Sequence, residues 1–339
     1  MEKLRVGIIG LGVGEKHIHS YGQHAGCEVV AMCDFSDERL AEMSSRYPDI
    51  IATKDAAEII EDRSINVVSI ASYDNYHYEQ VTAALEAGKH VMVEKPLCLD
   101  LGQAERIRAV LRRKSELKLS SNLVLRTCPR FIRIREAIHA GEMGHIFYLE
   151  ADYLWGRVNK LTSGWRADMD FYSIVHGAAI HMIDLVLWLM GEKPLEVKAY
   201  GNKIATADSR LKYNSFAAIL MKFRDGCIAK VTANGGGIHP HFHRLEVFGT
   251  EKTAIHNVNS AQWIGLTQIP VSRHETRNIE EAYPGKQERA RVITSFIDSI
   301  LSEKAVPVVS ADDVFNAMSV CATAENAMNT QDAGTIAYI

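Results

Sequence analysis

The residues with the plainest chemical use lie near the start of the chain. Val6-Gly-Ile-Ile-Gly10-Leu-Gly12-Val-Gly14 runs an apolar strand pattern into closely spaced glycines and then into a helix pattern. Such a turn suits the pyrophosphate of a dinucleotide. Only glycine lets the backbone turn that tightly and brings the amides of a helix N-terminus up to the anion. The spacing departs from GxGxxG, whose third glycine would fall at position 15; Glu15 stands there and Gly14 comes one residue early. Gly10, Gly12, Val13 and Gly14 are the expected cofactor contacts in this turn. Asp34 ends the second apolar run, near the spacing of the acid that accepts the ribose 2′-hydroxyl of NAD. Its other reading is the N-cap of the following helix, a common use of Asp. The glycine turn upstream favours the ribose role. A carboxylate there repels a 2′-phosphate, and no Arg or Lys follows until Arg39, so the expected cofactor is NAD rather than NADP.

A second group is His239-Pro-His241-Phe-His243, three imidazoles at alternate positions that would project to one side of an extended segment. No carboxylate or cysteine lies close by in sequence, and no metal is expected there.

Positioning these residues takes two kinds of architecture. The first third of the chain alternates short β-branched runs with helical patterns, the signature of βαβ units and a parallel sheet. Strands are expected over 4–9, 29–33, 67–71 and 90–93, with helices over 16–24, 37–46, 56–61, 76–87 and 101–114. Beyond Asn122 the strands lengthen, over 146–154, 195–204, 215–223, 228–233, 244–248 and 253–257, around one apolar helix over 175–190. Helices over 286–302 and 312–329 close the chain. The expected fold class is α/β: an N-terminal Rossmann doubly wound parallel sheet over 1–122. Behind it, over 123–339, stands a C-terminal α+β domain with a large open, predominantly antiparallel sheet. The closing helices are free to pack back on the first domain.

Bulk composition agrees with small-molecule chemistry. At 339 residues the chain exceeds the ~250–300 at which one core stops growing. A 47% hydrophobic content can fill two cores, and a formal net charge of −4 offers no global basic field for a nucleic acid or an anionic membrane. The arginines at 106, 108, 112 and 113 read as a solvated helix face. Six cysteines with no CxxC pair fit reduced thiols, and no eighteen apolar residues run together. No leader pattern opens the chain, so the expected location is the cytoplasm.

The segment Ala84-Leu-Glu-Ala-Gly88-Lys-His90-Val-Met-Val-Glu94-Lys95-Pro96 closely resembles the AlxAGKHVxxEKP stretch of the Gfo/Idh/MocA family. That family holds the glucose-fructose oxidoreductase, inositol dehydrogenase and rhizopine-catabolism proteins. Trp165-Arg166, His181-Met-Ile-Asp184-Leu-Val-Leu-Trp188-Leu-Met-Gly191 and Val247-Phe-Gly249-Thr250 extend the resemblance, in order, along nearly the whole chain.

The resemblance implies hydride exchange between NAD(P) and a hydroxyl or ketone of a sugar, a cyclitol or a nucleotide-linked sugar. It places Lys95 beside the nicotinamide and the substrate hydroxyl, with Glu94 on the cofactor side, in the domain that should face the one carrying His181. A carbonyl receiving hydride develops negative charge, which an ammonium stabilises and can protonate. His181 matches a histidine that serves as acid or base, work for which imidazole suits because it titrates near neutral pH. Asp184 is expected to orient the helix or a neighbour. Trp165 and Arg166 match positions near the nicotinamide in some relatives. The family's TPNxxH turn appears as Ser72-Tyr73-Asp74-Asn75-Tyr76-His77, which puts Ser72 near the cofactor and leaves His77 either there or merely starting a helix. Tyr153 and Tyr172 either pack on a sugar ring or simply fill the core.

One departure matters for substrate. Many relatives carry an aspartate four residues before the histidine, where this chain has Gly177, preceded by His176. Either His176 takes over the polar role or the protein manages without it. The leading expectation is an enzyme acting on a polyol or sugar, with a non-catalytic NAD(P)-binding sensor as the alternative; retention of Lys95 and His181 argues for the enzyme. A sheet with one bare face calls for a partner surface, so a homodimer or homotetramer is expected.

Overall fold

Val6, Ile8 and Ile9 are all buried, so the first strand is apolar on both faces, as a strand covered by helices on both sides must be. In the computed structural model, which describes residues 3–266, 274–285 and 287–339, that strand is Leu4–Ile9 (β1). It is central in a six-stranded sheet with Cys27–Cys33 (β2), Ile51–Thr53 (β3), Val67–Ile70 (β4), His90–Val93 (β5) and Leu119–Ser121 (β6). The order is β3-β2-β1-β4-β5-β6 and every pair is parallel. The helices between are Leu11–Gly22 (α1), Asp37–Arg46 (α2), Ala56–Glu61 (α3), His77–Glu86 (α4) and Leu101–Arg113 (α5). Helix α1 starts directly on the glycine turn, five residues before the helix expected from position 16. The strand order reverses between β1 and β4, which opens a crevice beyond their carboxyl ends, the place where such sheets bind ligands.

By internal contact the chain divides into two units, Met1–Thr127 with Gln287–Phe315 and Ile339, and Cys128–Lys286 with Asn316–Tyr338. The second opens on a helix not expected from sequence, Pro129–His139 (α6), with proline in its first turn where a missing N–H costs nothing. Among the described residues its sheet has nine strands: Ile146–Leu154 (β7), Glu196–Asn202 (β8), Phe216–Lys222 (β9), Ile228–Asn234 (β10), Phe242–Gly249 (β11), Lys252–His256 (β12), Ala261–Leu266 (β13), His274–Asn278 (β14) and Gly334–Thr335 (β15). They lie in the order β14-β13-β12-β11-β7-β10-β9-β8-β15. β7 and β10 pair in parallel and the other neighbours run antiparallel.

Two short helices, Asn159–Thr162 (α7) and Trp165–Asp168 (α8), precede Ile180–Met190 (α9), which packs over β7 and β10. The expected single helix over 175–190 is in fact two pieces, because Val175–Ala179 forms a π-helical turn before α9 begins. Such turns cluster at functional sites because they re-aim side chains. The sheet face away from α9 carries a half-buried charge network in which Arg244 reaches Asp152 at 2.9 Å and Lys230 reaches Glu150 at 2.8 Å. Beside it Tyr200, Leu220 and Ile228 are exposed.

Ala290–Leu301 (α10) belongs to the first unit and packs against α1, with His24 Nε2 at 3.0 Å from Asp298 Oδ1. The expected start of this helix, residue 286, lies outside the described residues. Ala311–Thr330 (α11) passes from the first unit into the second after Phe315.

Candidate active site

The glycine turn is built as dinucleotide chemistry requires. Gly10 has φ +86°, and a Cβ on it would sit 2.5 Å from the Ala71 carbonyl and the Ser72 amide, so only glycine lets the end of β1 pass the end of β4. A Cβ on Gly12 would meet open space, whereas one on Gly14 would lie 2.9 Å from Ile8 Cγ2. Gly14 therefore gives the close approach of helix to strand usually assigned to the third glycine, one residue early because α1 starts at Leu11. Glu15, in the usual glycine's place, pairs with Arg39 at 2.7 Å and with Arg46. The Arg39 hydrogen bond, opposed by burial and helped by the two guanidinium charges, holds its carboxyl below the usual range.

Asp34 does not cap α2. Ser36 does, accepting from the Arg39 amide at 3.2 Å. The two Asp34 oxygens accept instead from Leu11 N at 2.7 Å and Ser36 N at 2.9 Å, so the carboxylate is fixed at the mouth of the glycine turn. Each oxygen keeps a second lone pair for a hydroxyl. Val13 is exposed, and Phe35, also exposed, meets Tyr73 edge to face at 5.5 Å. That aromatic pair beside Asp34 was not singled out from sequence, although an exposed aromatic straight after the acid was its signal.

The turn after β5 holds Glu94 and Lys95, and the Lys95–Pro96 peptide is cis. Glu94 Oε1 takes hydrogen bonds from Asn122 at 2.7 Å and from the buried His17 at 3.1 Å, while the other His17 nitrogen meets Ser69 Oγ at 2.9 Å. Burial alone would push the Glu94 carboxyl up, but those hydrogen bonds and the charges of His17 and Lys95 outweigh it and hold the group at about 2. Lys95 is half-buried. His77 does start α4, and its ring also lies between two loops, 2.6 Å from the Pro96 carbonyl and 3.2 Å from that of Ser72. Ser72 itself donates to Gln80 Oε1 at 2.6 Å. Neither His17 nor Asn122 was legible as a partner of Glu94, since they come from separate stretches of sequence.

In the second unit His181 stands in the first turn of α9 and its ring lies parallel to that of Tyr153 on β7, centroids 5.7 Å apart and planes 10° apart. His243 stands opposite Tyr153 in the β11–β7 register. The rings of His241 and His243 close on Tyr153 at 5.3 and 5.0 Å. The expected one-sided triplet is thus a pair. His239 precedes the strand and its Nδ1 lies 2.8 Å from the carbonyl of Pro240. Among the described residues no group of three His, Cys, Asp or Glu side chains is arranged to hold a metal ion. Arg166 lies over Trp165 at 4.2 Å and over Trp155 at 5.5 Å.

His176, in the π turn, is buried. Its backbone amide and that of Val175 donate to Ser173 Oγ at 3.2 and 3.1 Å, and Ser173 in turn donates to Glu325 at 2.5 Å. Tyr172 is buried, and a Cβ at residue 177 would touch its hydroxyl and lie 2.9 Å from its Cζ. The place a side chain at 177 would take is therefore filled by the Tyr172 phenol, arriving from the loop before the turn. Gly177→Ala is expected to lower stability by about 1–3 kcal/mol, the usual cost of overpacking, and Tyr172→Phe in the same chain, which removes the atom nearest the new methyl, to recover part of the loss. Equal denaturation midpoints for wild type and Gly177→Ala would contradict this packing.

Parallel order β3-β2-β1-β4-β5-β6, a glycine turn at the switch point and an acid fixed beside it define a dinucleotide-binding oxidoreductase. Residues 4–122 match the oxidoreductase family with an NAD-binding Rossmann fold, and residues 131–264 match the GFO/IDH/MocA C-terminal domain. The chain belongs to the Gfo/Idh/MocA family. It is 27% identical over 260 residues to the myo-inositol 2-dehydrogenase of Thermotoga maritima, covering 73% of each chain. It is 26% identical over 292 residues to the 1,5-anhydro-D-fructose reductase of Ensifer adhaerens, covering 81% of this chain and 80% of that one. Its fold matches the scyllo-inositol dehydrogenase of Lactobacillus casei, solved with NAD(H) and scyllo-inositol, at TM-score 0.82 and 20% identity over 98% of this chain and 99% of the other.

Proposed function

We propose that the protein is an NAD-dependent dehydrogenase or reductase of a polyhydroxylated ring, a sugar or cyclitol like those of its inositol and anhydrofructose relatives. The observation that carries this reading is the parallel stacking of His181 on Tyr153 with two further imidazoles against the same phenol. Imidazole nitrogens exchange hydrogen bonds with the hydroxyls of a pyranose or cyclitol ring, and the stacked phenol holds the His181 ring in one orientation. Bound NAD supplies the hydride acceptor or donor. Gly10, Gly12, Val13 and Gly14 line its pyrophosphate turn, Asp34 takes the ribose, and Ser72, His77 and Glu94 shape the loops at the strand ends. Lys95 stabilises the oxygen at the reacting carbon, His181 exchanges its proton, and His176 keeps the turn before α9 polar. Trp165 and Arg166 serve the nicotinamide end, and Tyr153 and Tyr172 the substrate side.

The first domain is the cofactor domain, with its boundary near residue 122, and the second binds substrate and self-associates. The exposed Tyr200, Leu220 and Ile228 beside a half-buried charge network support a homodimer or homotetramer. None of the six cysteines forms a disulfide, which supports a reducing compartment such as the cytoplasm. No helix among the described residues is long and apolar enough to cross a membrane.

A panel of inositols, pyranoses and anhydrohexitols, followed at the nicotinamide absorbance band, tests the reading. A purified protein that binds NAD yet turns over none of them, in either direction, would shift weight to a sensor. NAD is expected to bind more tightly than NADP, because the Asp34 carboxylate repels a 2′-phosphate. Asp34→Ala is expected to narrow that preference by about tenfold or more, read by titrating both cofactors. Equal affinities in the wild type would sink the ribose assignment.

A further inference from the structure

Glu15, which stands where the turn pattern asks for a third glycine, belongs to a closed set of charges around Arg39. Arg39 divides its donors among three acceptors. Its Nε and Nη2 reach the Leu11 carbonyl at 3.0 and 2.8 Å, Nη2 also reaches Glu15 at 2.7 Å, and Nη1 reaches Glu42 at 2.6 Å. Arg46 meets the same two carboxylates, so the charges of the four side chains cancel. The set is fastened to the residue that also fastens the ribose acid: Leu11 gives its amide to Asp34 at 2.7 Å and offers its carbonyl to Arg39. A guanidinium is thus anchored on the same residue as the carboxylate assigned to the ribose, with both of its terminal nitrogens turned to carboxylates. An arginine beside the ribose site is the group that accommodates a 2′-phosphate in dinucleotide folds, because its fork of N–H groups matches phosphate oxygens.

We propose that Glu15 is a specificity-determining residue for the cofactor: together with Glu42 it holds Arg39 away from the ribose, so that NADP is refused both by repulsion from Asp34 and by want of a cation. The group that a released Arg39 takes is a phosphate monoester on the ribose 2′-oxygen. Removing Asp34 alone therefore takes away the repulsion without supplying a partner, and a second change is needed to turn the site towards NADP. This deepens the NAD reading and rests on it.

The test reads binding rather than turnover. NAD, NADP, adenosine 5′-monophosphate and adenosine 2′,5′-bisphosphate are titrated by calorimetry at low salt. Alanine suits a helix at position 15 and at position 42 alike. Asp34→Ala/Glu15→Ala is expected to bind NADP and the 2′,5′-bisphosphate about 10–100-fold more tightly than Asp34→Ala does, the worth of hydrogen bonds between charged groups. Its affinities for NAD and the 5′-monophosphate should stay at those of Asp34→Ala, since neither ligand carries the phosphate that Arg39 would meet. The gain should shrink as salt is raised, and Arg39→Ala added to the double variant should abolish it. Asp34→Ala/Glu42→Ala frees the Nη1 arm instead and decides the matter if the Glu15 variant does not fold. No gain over Asp34→Ala, or a gain that survives Arg39→Ala, overturns the inference while leaving the NAD reading intact. A wild type that binds neither NAD nor adenosine 5′-monophosphate overturns that reading and the inference with it.

Discussion

Lys95→Met is expected to lower kcat by about 10²–10⁴-fold, the usual worth of one positioned acid or base, while NAD still binds. Methionine keeps the bulk of the side chain and removes its charge, so the turn after β5 has no packing reason to collapse. The loss should appear equally in kcat and kcat/KM, because stabilising charge on the reacting oxygen matters only in the transition state. His181→Ala should behave likewise, and the double variant should lose far less than the product of the two if they serve one proton transfer. A reporter independent of turnover exists in Glu94, whose low titration is supported in part by the Lys95 charge. Acid stability of the first unit should therefore weaken slightly in Lys95→Met. Near-normal kcat in Lys95→Met on the true substrate would refute the mechanism.

Acidification should destabilise the second unit through His256. Burial, and then the charge of Arg130, push the His256 imidazole down to about 3, against an ordinary value of 6.5. The folded state thus stays neutral where the unfolded chain takes up a proton. The contribution is fully present above about pH 6.5 and is lost as pH falls from there towards 3, at about 1.4 kcal/mol per unit. Glu94 adds a later loss in the first unit: at about 2 against an ordinary 4.5, its contribution is whole above about pH 4.5 and disappears as pH falls towards 2. All four tryptophans, Trp155, Trp165, Trp188 and Trp263, lie in the second unit, so tryptophan fluorescence follows that unit alone. His256→Gln, which still offers Arg130 an acceptor, should flatten the dependence of the urea midpoint on pH between 6.5 and 4.5. An unchanged slope would show that His256 is not the group responsible.

What sequence reveals here follows its local signals. β1, β5, β7, α2 and α3 stand at the bounds their patterns predict, because each is a run of clear period closed by a turn or cap. β3 and β6 were missed for opposite reasons: Ile51 in β3 is largely exposed, while Ser120 and Ser121 in β6 are polar yet buried, Ser120 donating to the Val309 carbonyl at 2.8 Å. α6 was hidden behind Pro129, which reads as a breaker unless it is known to sit in the first turn. Gly10 and Asp34 were legible from spacing, and Lys95 and His181 through family motifs. The Tyr172 phenol over Gly177 and the Tyr283 hydroxyl on His243 were not, since periodicity reports neither a loop side chain folding back on the turn five residues on nor a meeting of a loop and a strand forty residues apart.

The first unit receives α10 only after the whole of residues 128–286 has intervened. A ribosome adding about 5–20 residues per second needs roughly 10–30 s between finishing β6 and supplying the helix that covers α1. During that interval the side of α1 that meets α10, and His24 and Gly26 behind it, have no α10 to pack against. The part of the protein made first therefore waits for its covering helix until most of the second unit has been made, and a nascent chain stalled anywhere in residues 128–286 would present that surface to chaperones and proteases.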